Sequence, residues 1–109
     1  MPKIKIAQAA QIQNERTHIF TLADGKRVAL RQMNETIYAF EDRCSHDDGE
    51  VATGPINEQA VVECPRHGAR FDLKTGKAVR MPAIMPIEVY PVEVKNGEIW
   101  ITIPESAAS

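Results

Sequence analysis

The chain has 109 residues, of which 43% are apolar and 26% are charged, and its formal net charge is −2. This composition is typical of a folded globular protein and excludes a disordered chain. The 13 basic and 15 acidic residues are mixed along the chain without a polybasic run, so neither nucleic acid nor an anionic membrane is expected as a partner.

The length fits a single domain, residues 1–109, and is too short for a second. No stretch approaches the roughly 20 apolar residues of a membrane span. The first six residues alternate charge and hydrophobe and lack the apolar block of a secretory signal, so we expect a cytoplasmic protein. A reducing cytosol disfavours a disulfide between its two cysteines.

Short β-branched runs separated by turn signals predict an all-β fold. Asp24-Gly25 lies between two such runs, and Asp-Gly is a favourable hairpin turn. A weak helix signal is limited to residues 7–12, since prolines interrupt the later part of the chain. Apart from the carboxy-terminal region, the expected strands are residues 3–7, 18–22, 27–33, 36–40 and 58–62.

The clearest predicted hairpin is carboxy-terminal and turns at Asn96-Gly97, the dipeptide most favourable to a type I′ turn. Apolar residues alternate with polar ones on both sides of it, which is the period of a strand with one buried face. Trp100 alternates with Ile99 and Ile101 and is therefore expected to face away from them. Residues 104–109 are expected to form a frayed tail.

The segment from about 41 to 82 is expected to form loops carried on the β scaffold, because glycine and proline interrupt its short strands. It contains Cys44-Ser45-His46 and Cys64-Pro65-Arg66-His67, with 17 residues between His46 and Cys64. A thiolate and an imidazole two or three residues apart can point to one side of a tight loop. Two such loops brought together supply two sulfur and two nitrogen ligands, and Gly68 gives the second loop freedom to turn.

This pattern resembles the Rieske iron–sulfur family, in which Cys-x-His is followed at a similar interval by Cys-x-x-His. The resemblance extends to the Cys-Pro-x-His-Gly sequence that begins at Cys64. It implies one Rieske 2Fe–2S cluster per chain, with Cys44 and Cys64 on the inner iron and His46 and His67 on the outer iron. It also implies a Rieske fold, similar to that of the respiratory iron–sulfur protein, of small antiparallel sheets with an inserted cluster-binding subdomain at about 41–82.

Respiratory Rieske proteins resemble this sequence but carry an extra, disulfide-bonded cysteine in each loop. Gly49 and Arg66 stand at the matching positions here, so that bridge cannot form. The same branch places a serine and a tyrosine hydroxyl near the cluster, where this chain has Ala69 and Phe71. Hydrogen bonds to sulfur stabilise the more negative reduced state, so their loss predicts a reduction potential near the lower end of the Rieske range.

The resemblance is strongest to stand-alone Rieske ferredoxins of bacterial multicomponent oxygenases. Such proteins take single electrons from an NAD(P)H-dependent flavoprotein reductase and pass them to a terminal oxygenase that hydroxylates aromatic or related compounds. No second metal triad or nucleotide fingerprint occurs, so the chain is expected to be an electron carrier and not an enzyme. His18 is expected to be structural or exposed. Four acidic residues around the first loop are either candidates to steer a basic partner or ordinary solvated loop charges: Asp42, Asp47, Asp48 and Glu50.

Two alternatives stay open at this point. Two cysteines and two histidines also suit a structural zinc site, although zinc ligands more often come as a cysteine pair and a separate histidine pair. Small subunits of assimilatory nitrite reductases resemble the chain in fold and length, so it is either a mobile carrier or a fixed enzyme subunit.

Three methionines, Met33, Met81 and Met85, are expected to fill the core.

Overall fold

The computed structural model describes residues 3–45, 49–81 and 83–103. Over these ranges the chain forms strands of the all-β fold that the sequence predicts, and no described helix has the length and apolar content that a membrane crossing requires. The elements are β1 (Lys3–Gln8), a 3₁₀ turn (Ala9–Gln11), β2 (Thr17–Thr21), β3 (Arg27–Met33), β4 (Thr36–Glu41), β5 (Val61–Glu63), β6 (Arg70–Asp72), β7 (Ala78–Arg80), β8 (Val89–Tyr90), β9 (Val92–Lys95) and β10 (Glu98–Thr102).

The strands pair in three antiparallel sheets. The terminal sheet has the order β1-β10-β9, the central sheet β2-β3-β4-β8, and the small sheet β5-β6-β7. Because β4 and β8 are neighbours in the central sheet, everything between residues 42 and 88 is inserted between two adjacent strands. The small sheet and both cysteine–histidine loops belong to this insertion.

The predicted hairpin turns are confirmed. Asn96 and Gly97 both have positive φ, 54° and 75°, as a type I′ turn requires. Gly25 has φ 90° between β2 and β3, where the Leu22 amide donates to the Lys26 carbonyl at 2.8 Å. These turns determine the register of the long strands.

Two predicted elements differ from the structure. Residues 58–60 form a turn, so β5 begins only at Val61. The cause is Asn57, whose side-chain oxygen accepts hydrogen bonds from the Gln59 and Val61 amides at 2.9 and 3.1 Å and thereby competes with strand pairing. The helix signal at 7–12 becomes only the short 3₁₀ turn, and the predicted tail at 104–109 lies outside the described residues.

The central sheet is buried on both faces. Val28 and Leu30 pack against the terminal sheet, whereas Ala29, on the opposite face of β3, belongs to a second core beneath the small sheet. On β4, Ala39 faces the core shared with the terminal sheet, and Phe40 faces the core beneath the small sheet. The central strands therefore support two separate cores, as the period of two along a strand allows.

Trp100 lies as predicted. Ile99 and Ile101 are fully buried, at 0% and 1% exposure, whereas the Trp100 side chain between them is half-buried on the other face of β10.

Tyr90 is buried in the core between the terminal and central sheets, and its hydroxyl has no hydrogen-bond partner among the described residues. Burial first, and then the carboxylates of Glu41 and Glu88, raise the pKa of this hydroxyl well above its ordinary range. The folded protein therefore holds the Tyr90 proton more tightly than the unfolded chain does.

Alkaline pH should lower the free energy of unfolding through this residue. Above about pH 10 the unfolded chain releases the Tyr90 proton and the folded chain retains it, which removes up to about 1.4 kcal/mol of stability per pH unit. Urea unfolding of Tyr90→Phe should lose this part of the alkaline decline, and Tyr38→Phe should keep it. An equal decline in wild type and Tyr90→Phe would contradict this account.

Candidate metal centre

Two loops at one edge of the insertion carry the predicted ligands. The first loop, residues 42–52, follows β4, and the second loop, residues 64–69, connects β5 to β6. Each is closed by the same backbone contact: the Cys44 amide donates to the Gly49 carbonyl and the Cys64 amide to the Ala69 carbonyl, both at 2.7 Å. This five-residue closure places each cysteine at the base of its loop.

The two cysteines are brought together in the core beneath the small sheet. Cys44 and Cys64 have exposures of 0% and 1%, and both are thiols and not the halves of a disulfide. Two buried thiols in one apolar cluster, shielded from water, form a sulfur donor pair suited to a soft metal centre.

His67 lies on the exposed part of the second loop. Gly68 follows it with φ +74°, and its amide donates to the Cys64 carbonyl at 3.0 Å. A left-handed conformation here lets the chain reverse directly after the histidine, which is why glycine suits this position. His46 lies outside the described residues, as do Asp47 and Asp48, so the role of His46 stays a prediction.

The first loop is held at its base by a buried carboxylate. Asp42 is only 3% exposed, and its Oδ1 accepts hydrogen bonds from the Val51 and Ala52 amides at 2.9 and 2.8 Å. Arg27 completes the arrangement, with Nε 3.4 Å from Asp42 Oδ2 and Nη2 donating to the Asp42 carbonyl at 3.2 Å. Asp42 thus ties the start of the loop to its end and fixes the neighbouring Cys44.

This role corrects one prediction. Asp42 does not steer a partner, because its carboxylate is buried and engaged by two amides and a guanidinium. Glu50 is exposed as a steering residue would have to be. The sequence contained no signal for the Asp42 contact with Arg27, since the two residues are 15 positions apart on different elements.

The two loops also contact each other. A Cβ built on Gly49 would lie 2.6 Å from the Arg66 guanidinium carbon, so this side chain lies over the glycine. At the base, Gly54 packs directly on the Glu63 carbonyl, where no side chain fits, and the Glu63 amide donates to the Pro55 carbonyl at 2.9 Å. Gly49 and Arg66 are the positions that carry the disulfide in the respiratory branch, so a non-covalent contact stands where that bridge would be.

A third segment, residues 83–87, borders the first loop. The Ser45 hydroxyl donates to the Met85 carbonyl at 2.6 Å. Residue 82, at the predicted end of the cluster-binding subdomain, lies outside the described residues. Met33 packs partly buried against the core, as expected, but Met81 and Met85 are 74% and 62% exposed, so their predicted core role was wrong.

His18 lies on β2, where its Nε2 accepts a hydrogen bond from the Gln13 amide at 3.3 Å. Within the described ranges, no three Cys, His, Asp or Glu side chains converge as around a single metal ion.

An all-β fold with two cysteine–histidine loops on an inserted small sheet defines a Rieske-type iron–sulfur protein. A model of the Rieske [2Fe-2S] domain matches residues 3–91, and the chain belongs to this family. A curated relative, the 3-phenylpropionate/cinnamic acid dioxygenase ferredoxin subunit of Escherichia coli K12, is 46% identical over 79 residues, covering 72% of this chain and 74% of the relative.

Solved structures of ferredoxins support the same family assignment. The ferredoxin of carbazole 1,9a-dioxygenase from Nocardioides aromaticivorans IC177 superposes with a TM-score of 0.83 at 28% identity, over 93% of this chain and 97% of that one. A second match, in a complex of reduced oxygenase and oxidised ferredoxin of carbazole 1,9a-dioxygenase, has a TM-score of 0.81 at 29% identity and covers 91% of each chain. The chain is therefore a Rieske ferredoxin, an electron carrier and not a catalytic subunit, and its cofactor is a 2Fe–2S cluster.

The described residues fit this cofactor. A Rieske cluster needs two thiolates on one iron and two imidazoles on the other. The structure provides two buried thiols in one core and an exposed imidazole on the second loop. Family membership also decides against the zinc alternative.

Removal of the Asp42 carboxylate should loosen the first loop. Asp42→Ala leaves two buried amides without their acceptor, at a cost of about 1–3 kcal/mol each. We expect earlier unfolding in urea and faster loss of visible absorption for Asp42→Ala, with a smaller effect for Asp42→Asn, which retains an acceptor oxygen. Wild-type behaviour of Asp42→Ala in both measurements would show that the contact does not hold the loop.

Proposed function

We propose that this chain is the ferredoxin component of a bacterial multicomponent aromatic-ring oxygenase. It would accept single electrons from an NAD(P)H-dependent flavoprotein reductase and deliver them to a terminal oxygenase. The names of the curated relative and of the oxygenase–ferredoxin complex support this role. The structural observation that carries it is the exposed His67 on the same loop as Cys64, which shares one buried core with Cys44.

We propose Cys44 and Cys64 as the ligands of the inner iron and His46 and His67 as those of the outer iron. When bound, the cluster supplies a one-electron couple whose potential lies at about −150 to +300 mV in Rieske centres. The buried cysteines exclude water from the inner side. The exposed second loop brings His67 to the surface, where a partner can approach.

We further propose a single Rieske domain over residues 1–109 with a cluster-binding subdomain at about 41–82. The insertion of the loops and small sheet between the paired strands β4 and β8 supports this division. A cytoplasmic location, with no nucleic-acid or membrane partner, is consistent with the net charge of −2 and with the absence of basic runs.

A small subunit of an assimilatory nitrite reductase is the alternative. The 46% identity to a dioxygenase ferredoxin subunit favours the mobile carrier. Co-purification with a large siroheme subunit would instead identify a fixed enzyme subunit.

The ligand assignment is tested by substitution of the histidines. His67→Ala and His46→Ala should abolish or cripple the cluster because an iron loses a nitrogen ligand, while His18→Ala should leave it intact. The measurements are iron and acid-labile sulfide content and the EPR spectrum after dithionite reduction, in which mixed nitrogen and sulfur ligation lowers the average g value. A full cluster in His67→Ala would disprove the assignment.

The reduction potential should lie near the lower end of the Rieske range, because Ala69 and Phe71 supply no hydroxyl and both are fully buried beside the second loop. Ala69→Ser should raise the midpoint in a redox titration. Ala39→Ser, buried in the other core, serves as the control and should leave it unchanged. A wild-type midpoint above roughly +150 mV would contradict the argument.

A further inference from the structure

Exposed apolar side chains are concentrated beside the metal centre. Four large hydrophobic residues, Val79, Met81, Ile84 and Met85, are 54%, 74%, 80% and 62% exposed. We call these four residues the apolar patch. Within the described part of the chain, the other exposed large hydrophobics are Ile19 and Val94, which lie singly on other sheets. Single exposed hydrophobics are ordinary, whereas four within one short segment, residues 79–85, indicate an interaction surface.

Strand register places the apolar patch at the edge that carries His67. β7 runs antiparallel to β6, with Arg80 opposite Arg70. Continuing past Arg80, the chain therefore runs back alongside the end of the second loop. At its other end the patch borders the first loop, because the Met85 carbonyl accepts the Ser45 hydroxyl at 2.6 Å.

Near the patch, basic charge lies on the segment that carries it and on the second loop, whereas Glu50 is exposed on the first loop. Residues 73–87 contain no Asp or Glu, although the whole chain has a net charge of −2. Arg80 is exposed between Val79 and Met81, and Arg66 is exposed on the second loop. The surface that fits this arrangement is an apolar recess with carboxylates opposite Arg80.

A second copy of this chain is a poor occupant. In a twofold pairing through the patch, each Arg80 would face the same basic surface of the other copy, which is electrostatically unfavourable. Four side chains also suit the small interfaces of transient redox encounters better than those of stable dimers. A heterologous and short-lived partner matches both features.

We propose that the apolar patch, with Arg80, is the docking surface for the terminal oxygenase. This inference rests on the proposed function and adds the partner's chemistry: an apolar recess with an acidic rim. The patch supplies the area that leaves water on contact, and Arg80 selects the orientation that brings His67 toward the partner.

The experiment uses the intact ferredoxin with its cluster, reduced by dithionite, and the oxidised oxygenase component of the E. coli 3-phenylpropionate/cinnamic acid dioxygenase as the probe. Stopped-flow absorbance measures the second-order rate of electron delivery. Ile84→Ser should lower this rate about tenfold, equivalent to about 1.4 kcal/mol. Val94→Ser is the control for an exposed hydrophobic in the terminal sheet and should react like wild type.

The charge is tested by Arg80→Glu, which should slow delivery most at low salt, with Lys95→Glu on β9 as the control. Each variant should retain the wild-type EPR spectrum and midpoint, so that a slower rate reports docking alone. Wild-type rates for Ile84→Ser and Arg80→Glu would overturn the docking inference and leave the proposed function standing.

Two further outcomes separate the claims. If the wild-type protein has an intact EPR signal but delivers no electrons to the oxygenase, the oxygenase assignment and the docking inference both fail. If Ile84→Ser slows only the reduction of the ferredoxin by the reductase of the same system, the patch belongs to the reductase and the inference is wrong.

Discussion

Everything in this molecule that concerns its cofactor depends on holding two thiols in one core, away from water. Cys44 and Cys64 come from separate loops, yet each has its amide bonded to a carbonyl five residues later and its side chain in the same core. Loop closure costs conformational entropy, and the cost is offset because each loop is anchored at its base by backbone bonds and apolar packing. His67, three residues after Cys64, is left at the surface as a consequence.

The three sheets form two separate cores, and only one of them contains the cysteines. The terminal and central sheets enclose one core of their own, which contains no part of the site, and the small sheet closes a second core over the other face of β3 and β4. The first loop thus follows β4, a strand buried on both faces, and the Asp42 carboxylate holds the start of this loop to its end through two amide hydrogen bonds. Firmly held cysteines suit an electron carrier, since little reorganisation is needed when one charge is added.

The sequence predicted the long elements and failed on features whose cause lies far along the chain. β1 to β4 and the final hairpin follow from alternation and turn dipeptides, which act locally. The three-residue strands β6 and β7 carry too short a pattern to be recognised. The sequence predicts an exposed Asp42 and buried Met81 and Met85. All three predictions are wrong, because burial depends on neighbours that only the folded chain brings together.

The sequence alone determined the family and its cofactor, since two Cys–His pairs at this spacing resemble one family closely. It also determined the all-β class through its period of two. Only the tertiary structure decided which charged residue holds the first loop, that Arg66 lies over Gly49, and that an apolar patch borders the metal centre. The physical reason is the distance along the chain between the residues that interact. Ligand identity and turn preference are properties of adjacent residues, whereas exposure and long-range hydrogen bonds arise from packing between distant segments.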